Sequence, residues 1–157
     1  MFEKTMREYN RLLCEGITAE LGCPVVKSNI TDHIPKYPYV SFTVTGIRTR
    51  QRTYADAEQP YVPAEVSYSF TVQSNDDYEA LTLAMKLHDW FEETGRMYLK
   101  DNGMVFTDIG QISERDNMIT LEYEHRKGFD CVLNLMNYVE RNDEVIESFT
   151  PVPDVTE

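Results

Sequence analysis

Glycine is scarce in this chain and never doubled: seven residues in 157, each standing alone. No Walker loop, no G-x-G-x-x-G turn after a strand and no G-x-S-x-G elbow can be built from them. That removes the common phosphate cradles and the elbow of serine hydrolases. Cysteine is as sparse. Cys14, Cys23 and Cys131 show no metal-ligand spacing and, being three, cannot all pair within the chain. They read as buried or idle thiols in a reducing compartment. No apolar run approaches the ~20 residues that cross a bilayer. The opening stretch MFEKTMREYNRLL interleaves charges at helical spacing where a signal peptide would carry an apolar block, so export is not expected. Positive charge is the last shortage. Fifteen Lys and Arg face 27 Asp and Glu, a net charge of -12, which argues against general adhesion to nucleic acid or to an anionic membrane.

What remains is globular material, 41% hydrophobic and 27% charged. Residues 1–139 read as one domain, in a chain long enough to bury roughly 70% of the surface its unfolded form exposes. Residues 140–157, ERNDEVIESFTPVPDVTE, hold six acids against one arginine, with two prolines. They read as an acidic C-terminal tail, frayed or ordered by a partner.

Within the domain, Phe2, Met6, Tyr9, Leu13 and Ile17 recur at three- and four-residue steps and predict a helix over 3–21, stopped by Gly22 and Pro24. A short strand at 24–27 and a polar loop through Asn29, Asp32 and Pro35 follow. YPYVSFTVT (37–45) alternates, with Val40, Phe42 and Val44 on one side. AEVSYSFTVQ (64–73) repeats the pattern with Val66, Tyr68, Phe70 and Val72. Strands with one buried and one wet face favour an antiparallel sheet. The stretch between them, GIRTRQRTYADAEQPYVP, is too long for a tight turn and predicts a functional loop. DDYEALTLAMKLHDWFEETG (76–95) predicts a second helix, capped by Asp76 with Glu79 and closed by Gly95. MVFTDIGQI (104–112), MITLEYEHR (118–126) and FDCVLNLMNYV (129–139) predict three more strands, with turns at Arg115-Asp-Asn117 and at Lys127-Gly128. The last of these also suits a helix; its place directly after a strand favours strand. The order predicts an α+β fold: an antiparallel sheet with two helices packed on one face and a long loop between strands 2 and 3.

Catalysis has one candidate in the second helix, where His88 precedes Glu92 by four residues, a spacing that lets two side chains share a metal. On a helical wheel, however, His88 falls inside an apolar arc of about 220°, between Ala84 and Leu81. A metal would need a common polar cavity and a further ligand. His33 and His125 belong to no paired motif. A hydrogen-bonded histidine at the edge of a core or subunit contact is the favoured reading, with no catalytic residue, metal or cofactor. An arc that wide predicts contact on two sides, with the first helix or with a neighbouring subunit. The acids at Asp76-Asp77 suit capping and the helix macrodipole better than paired acid–base work.

The loop at 47–60 is the most distinctive segment. Arg48, Arg50 and Arg52 concentrate positive charge beside Tyr54 and Tyr61 in an acidic protein, and arginine and tyrosine are enriched at interfaces. A basic loop on an acidic body makes a chain complementary to its own copies, as a head-to-tail ring requires. The plain alternative is a solvated hairpin tip.

YPYVSFTVT, DDYEALTLAMKLHDWFEETGRMYLKDNGMVFTDIGQI and RDNMITLEYEHRKGFDCVL together resemble the neck or tail terminator family of long-tailed bacteriophages, in ordered blocks from about Pro24 to Leu133. The resemblance implies a small α+β domain, without enzymatic activity, that assembles with its copies into a hexameric ring. That ring stops polymerisation of the tail tube protein at the head-proximal end and joins the tail to a head-completion or connector protein. It implies a virion protein of the neck, made and assembled in the host cytoplasm, with genomic DNA passing through the channel unbound. Glu65, Glu122 and Glu124, or the acids of 140–157, are then candidates to face the channel and repel phosphate. The alternatives are a head-completion or connector subunit, a small metal-dependent hydrolase using His88 with Glu92 or Glu122, and a monomeric adaptor that binds an acidic peptide through the arginine loop.

Overall fold

The computed structural model describes residues 4–29, 33–49, 61–116 and 124–138. The first helix, α1 (Met6–Leu21), starts three residues later than its apolar periodicity suggests. Thr5 accounts for the shift. Its hydroxyl accepts from the Glu8 N–H while the Glu8 carboxylate accepts from the Thr5 N–H, so both ends of a capping box close. Gly22 ends the helix in the left-handed region (φ 71°), as its position implied.

Strands β1 (Val25–Lys27), β2 (Tyr39–Thr49) and β3 (Tyr61–Ser74) follow, then α2 (Asp77–Asp89), a π-helical turn (Trp90–Thr94) and α3 (Arg96–Asp101). Strands β4 (Met104–Ile109), β5 (Ser113–Glu114) and β6 (His125–Tyr138) complete the sheet. Its order is β1-β2-β3-β6-β4, with β5 also on β6. The α+β architecture is the expected one, and every pairing is antiparallel except the short edge strand β1, which runs parallel to β2.

Alternation decides the layers. Val66, Tyr68, Phe70 and Val72 are essentially inaccessible, and α1 and α2 cover that face with Leu13, Ile17, Ala80, Ala84 and Leu87. Each fully buried large side chain of this kind contributes about 1.5–3 kcal/mol. Phe70 lies at the centre, ringed by Phe42, Tyr68, Phe91 and Phe129 at centroid separations of 5.2–6.1 Å.

Several local expectations are refined by the structure. Asp76 does cap α2, accepting from the Tyr78 N–H, but Glu79 accepts from the Ser74 hydroxyl, and Ser74 Oγ takes the Asp76 N–H, so the reciprocal box is relayed through Ser74. Gly95 does cap the π-helical turn that extends α2, its N–H donating to the Trp90 carbonyl, but not in the left-handed region. It stays right-handed (φ -93°) under the Trp90 indole, where any Cβ would collide, and a third helix follows it. Lys127-Gly128 is no turn, because β6 runs through both residues. The odd positions His125, Lys127, Phe129, Cys131, Leu133 and Leu135 keep one phase, and a Cβ on Gly128 would strike the Phe70 carbonyl on β3. Most of the strand expected at 118–126 lies outside the described residues; its last two residues belong to β6. Finally, β2 and β3 extend into the expected loop, leaving residues 50–60 between them.

Candidate functional site

His88 is hydrogen-bonded at the edge of the core, as its place on the helix implies. Its Nε2 lies 3.0 Å from the Gly110 carbonyl, an oxygen that can only accept, so Nε2 carries the proton. Its ring packs edge-on against Phe129 at 5.1 Å. Nδ1 faces Glu92 at 3.8 Å, and Asp89 completes a possible ligand trio. Both acids are exposed on the outside of the helix, and no enclosed cavity is described beside them. His88 thus ties α2 to the residue that follows β4.

A second group escaped local reading because its members are far apart in sequence. Lys127, on the core-facing side of β6, is almost buried, and its ammonium meets Asp77 at 2.9 Å, Glu114 at 3.3 Å and Asp116 at 3.8 Å. Burial alone would lower the Lys127 pKa, but the Asp77 and Glu114 carboxylates outweigh it and hold the pKa above its usual value. Burial likewise pushes Asp116 up, and the Arg126 N–H, Glu114 and Lys127 overcome it to hold the carboxyl below its usual range. His125 Nδ1 stands 3.4 Å from Asp77 and 3.6 Å from Asp116 without forming a hydrogen bond. Asp77, Asp116 and His125 have metal-ligand proximity, yet the cationic place among them is taken by the lysine. The cluster is an ionic clamp between the start of α2, β5 and β6. The one available clue was a lysine in the buried phase of a strand.

On the opposite sheet face, Arg115 acts as a strut. Its guanidinium donates to Ser69 Oγ (2.6 Å), Thr71 Oγ1 (3.2 Å) and Asp130 (3.1 Å), crossing two strands. Nearby, a pocket of about 360 Å3 opens on this face beside β1.

Of the residues singled out in the sequence, Arg48 and Glu65 are exposed and directly opposed in the β2–β3 register. A bulge between Val44 and Gly46 shifts the phase of β2, turning Ile47 to the core side and Arg48 to the open face. Tyr61 begins β3 opposite Tyr138. Arg50, Arg52, Tyr54 and Glu122 lie outside the described residues. Glu65 and Glu124 are not brought together: Glu65 sits nine steps, about 30 Å, from the Ser74 end of β3 near which Glu124 lies. Glu124 is also largely covered, with Oε2 3.2 Å from Arg126.

The thiols have no catalytic character. Burial, aided by Glu15, raises Cys14 to about 11, and burial also raises Cys23 and Cys131. A nucleophilic cysteine needs the reverse.

Apolar side chains meanwhile stand open along α2. Tyr78, Leu81 and Met85 form one stripe, exposed by 78%, 37% and 53%. The wide arc of this helix is therefore only partly covered by α1. Ionic groups spent on tying elements together, with an apolar stripe left outside, leave surface open to partners. In agreement, a family model described as phage neck terminator protein matches residues 2–157, and the chain belongs to that family. It is a family of structural proteins of the phage neck. Among curated proteins, none matches. No described helix is long and apolar enough to cross a membrane.

Proposed function

We propose that this chain forms a hexameric ring at the head-proximal end of the phage tail tube, where it ends tube polymerisation and joins the tail to the head. The observation that carries this reading is the family match over residues 2–157. The exposed stripe of α2 supplies apolar area for contact with copies or neighbours. Termination follows from an asymmetric ring: one face fits the last tube layer, and the other offers no surface on which a further tube layer can grow. The partners are the tube protein on one side and a head-completion or connector protein on the other.

In this reading Arg48, Arg50, Arg52, Tyr54 and Tyr61 contact a neighbour, and Glu65 and Glu122 face the DNA channel, where they repel phosphate. Glu124 contributes less, since Arg126 already compensates it. Slower or salt-sensitive DNA ejection after Glu65→Gln and Glu122→Gln checks the channel assignment; unchanged ejection removes it. The decisive experiment is electron microscopy of tails assembled with and without the chain. Overlong, ragged tubes are expected in its absence. Tubes of normal length that fail to join heads would instead favour a connector subunit on the portal side of the neck.

A further inference from the structure

One corner of the open sheet face is apolar. Across β2, β3, β6 and β4, one row of this face reads Arg48, Glu65, Asn134 and Val105. The next row, toward the Tyr138 end, sets Pro63 against Met136. Val105 and Met136 are exposed by 52% and 46%, and Pro63 is exposed beside them. Because Val105 opposes Asn134, Met136 is its diagonal neighbour, about 7–8 Å away. Elsewhere the face carries small hydroxyls and opposed charges, among them Ser67, Ser69, Thr71 and the Arg48–Glu65 pair. Adjoining apolar side chains on a polar face suit a contact.

We propose that the cover is the chain's own C-terminal segment, with Val145, Ile146 and Phe149 folded back over Val105, Met136 and Pro63. Strand β6 ends at Tyr138, two residues beyond Met136. In the sequence that follows, these three large apolar residues fall within five positions, behind the turn pair Asn142-Asp143. Reach is ample. Val105 lies four steps back along β6 from Tyr138 and one strand across, about 13 Å and 5 Å. The eleven residues from Tyr138 to Phe149 extend up to about 36 Å, which leaves length for the turn. A tether so short holds the segment at an effective concentration on the order of millimolar, so the chain's own copy occupies the corner before a second one does. Charge agrees. The Lys4 ammonium donates to the Asn102 carbonyl (2.8 Å) at the turn into β4, the end of the sheet from which the segment departs, and Glu140 and Glu144 are among its first carboxylates. The inference does not draw on the ring, because a subunit with this corner covered can enter any assembly.

The test is oxidation of the full chain by dilute hydrogen peroxide, followed at each methionine by mass spectrometry. Buried Met104 sets the slow limit, and Met97, exposed by 65%, sets the fast one. Exposure alone places Met136 within about twofold of Met97; beneath the segment it should oxidise at least about fivefold more slowly. The triple variant Val145→Ser, Ile146→Ser, Phe149→Ser alters none of the buried core and should return Met136 to the range of Met97. Val105→Lys should do the same from the strand side. Carbodiimide coupling of a one-to-one mixture of ordinary and heavy-nitrogen chains identifies the owner of the segment: links from Lys4 to acids of 140–147 should stay within one isotope. Met136 oxidising as fast as Met97, protection that survives the triple variant, or links mainly between isotopes each overturn the proposal. Protection in a chain that never forms a ring sinks the ring alone, and a ring with Met136 unprotected sinks this inference alone.

Discussion

The two faces of the sheet are held by different physics. Toward the helices, β3 presents Val66, Tyr68, Phe70 and Val72 to a continuous apolar core. Toward the open side, the same strand presents Glu65, Ser67, Ser69 and Thr71, held by directional contacts such as the Arg115 strut. The first kind of cohesion is non-directional and scales with buried area. The second depends on a few named bonds and leaves surface for partners. Phe70→Ala should therefore cost about 3–5 kcal/mol, while Ser69→Ala, one residue away on the other face, should cost about 1 kcal/mol. Urea denaturation of the two variants measures the contrast directly, and equal losses would erase it.

The ionic clamp at the end of the core face blurs that division. Lys127→Met should destabilise by about 1–3 kcal/mol at neutral pH, less than the roughly 3–5 kcal/mol of breaking a fully buried pair. Asp77 and Glu114 are 46% and 67% exposed, so water screens them. The pH dependence carries the sharper test. Lys127 is held above its ordinary value of 10.5, so its contribution is complete below 10.5 and fades as pH climbs through the raised folded value. Asp116 is held below its ordinary 3.8, so its contribution is complete above 3.8 and fades as pH falls through the lowered folded value. The stability gap between wild type and Lys127→Met should stay level between those limits and shrink outside both. A gap that shrinks well inside those limits would contradict the assignment to Lys127 and Asp116.

Local periodicity made most of the core legible. The Tyr9–Leu13–Ile17 stripe, Val40 and Phe42 of β2, the alternation of β3 and the Ala80–Ala84–Leu87 stripe of α2 each depend on neighbours in sequence and are buried where their phase places them, whereas Leu81 and Met85 of the same helical arc stay exposed. Contacts across long stretches of chain were not legible. Nothing near Gly95 announces that Trp90 will fold over it, and nothing near Gly128 announces the Phe70 carbonyl. Arg115 looked like turn material because its partners Ser69 and Thr71 lie in a strand formed much earlier. His88 was read correctly from its place on the wheel. Lys127 was missed because Lys-Gly is a common turn signature, although the unbroken odd phase from Ile119 to Leu135 argued against a break.

The smallest expected effect bears on the open face alone. Arg48 and Glu65 are cross-strand neighbours, and exposed opposite charges in that position contribute about 0.2–1 kcal/mol. Arg48→Glu or Glu65→Arg should each lose up to about that amount, because each puts like charges face to face. The double exchange should recover most of it, by thermal denaturation in low salt. Assembly separates what stability cannot. If the pair serves only the sheet, the exchanged protein caps tails as the wild type does. If Arg48 also meets a neighbouring subunit, the exchanged protein folds with normal stability and still fails to cap, since the positive charge now stands one strand away from where the neighbour requires it.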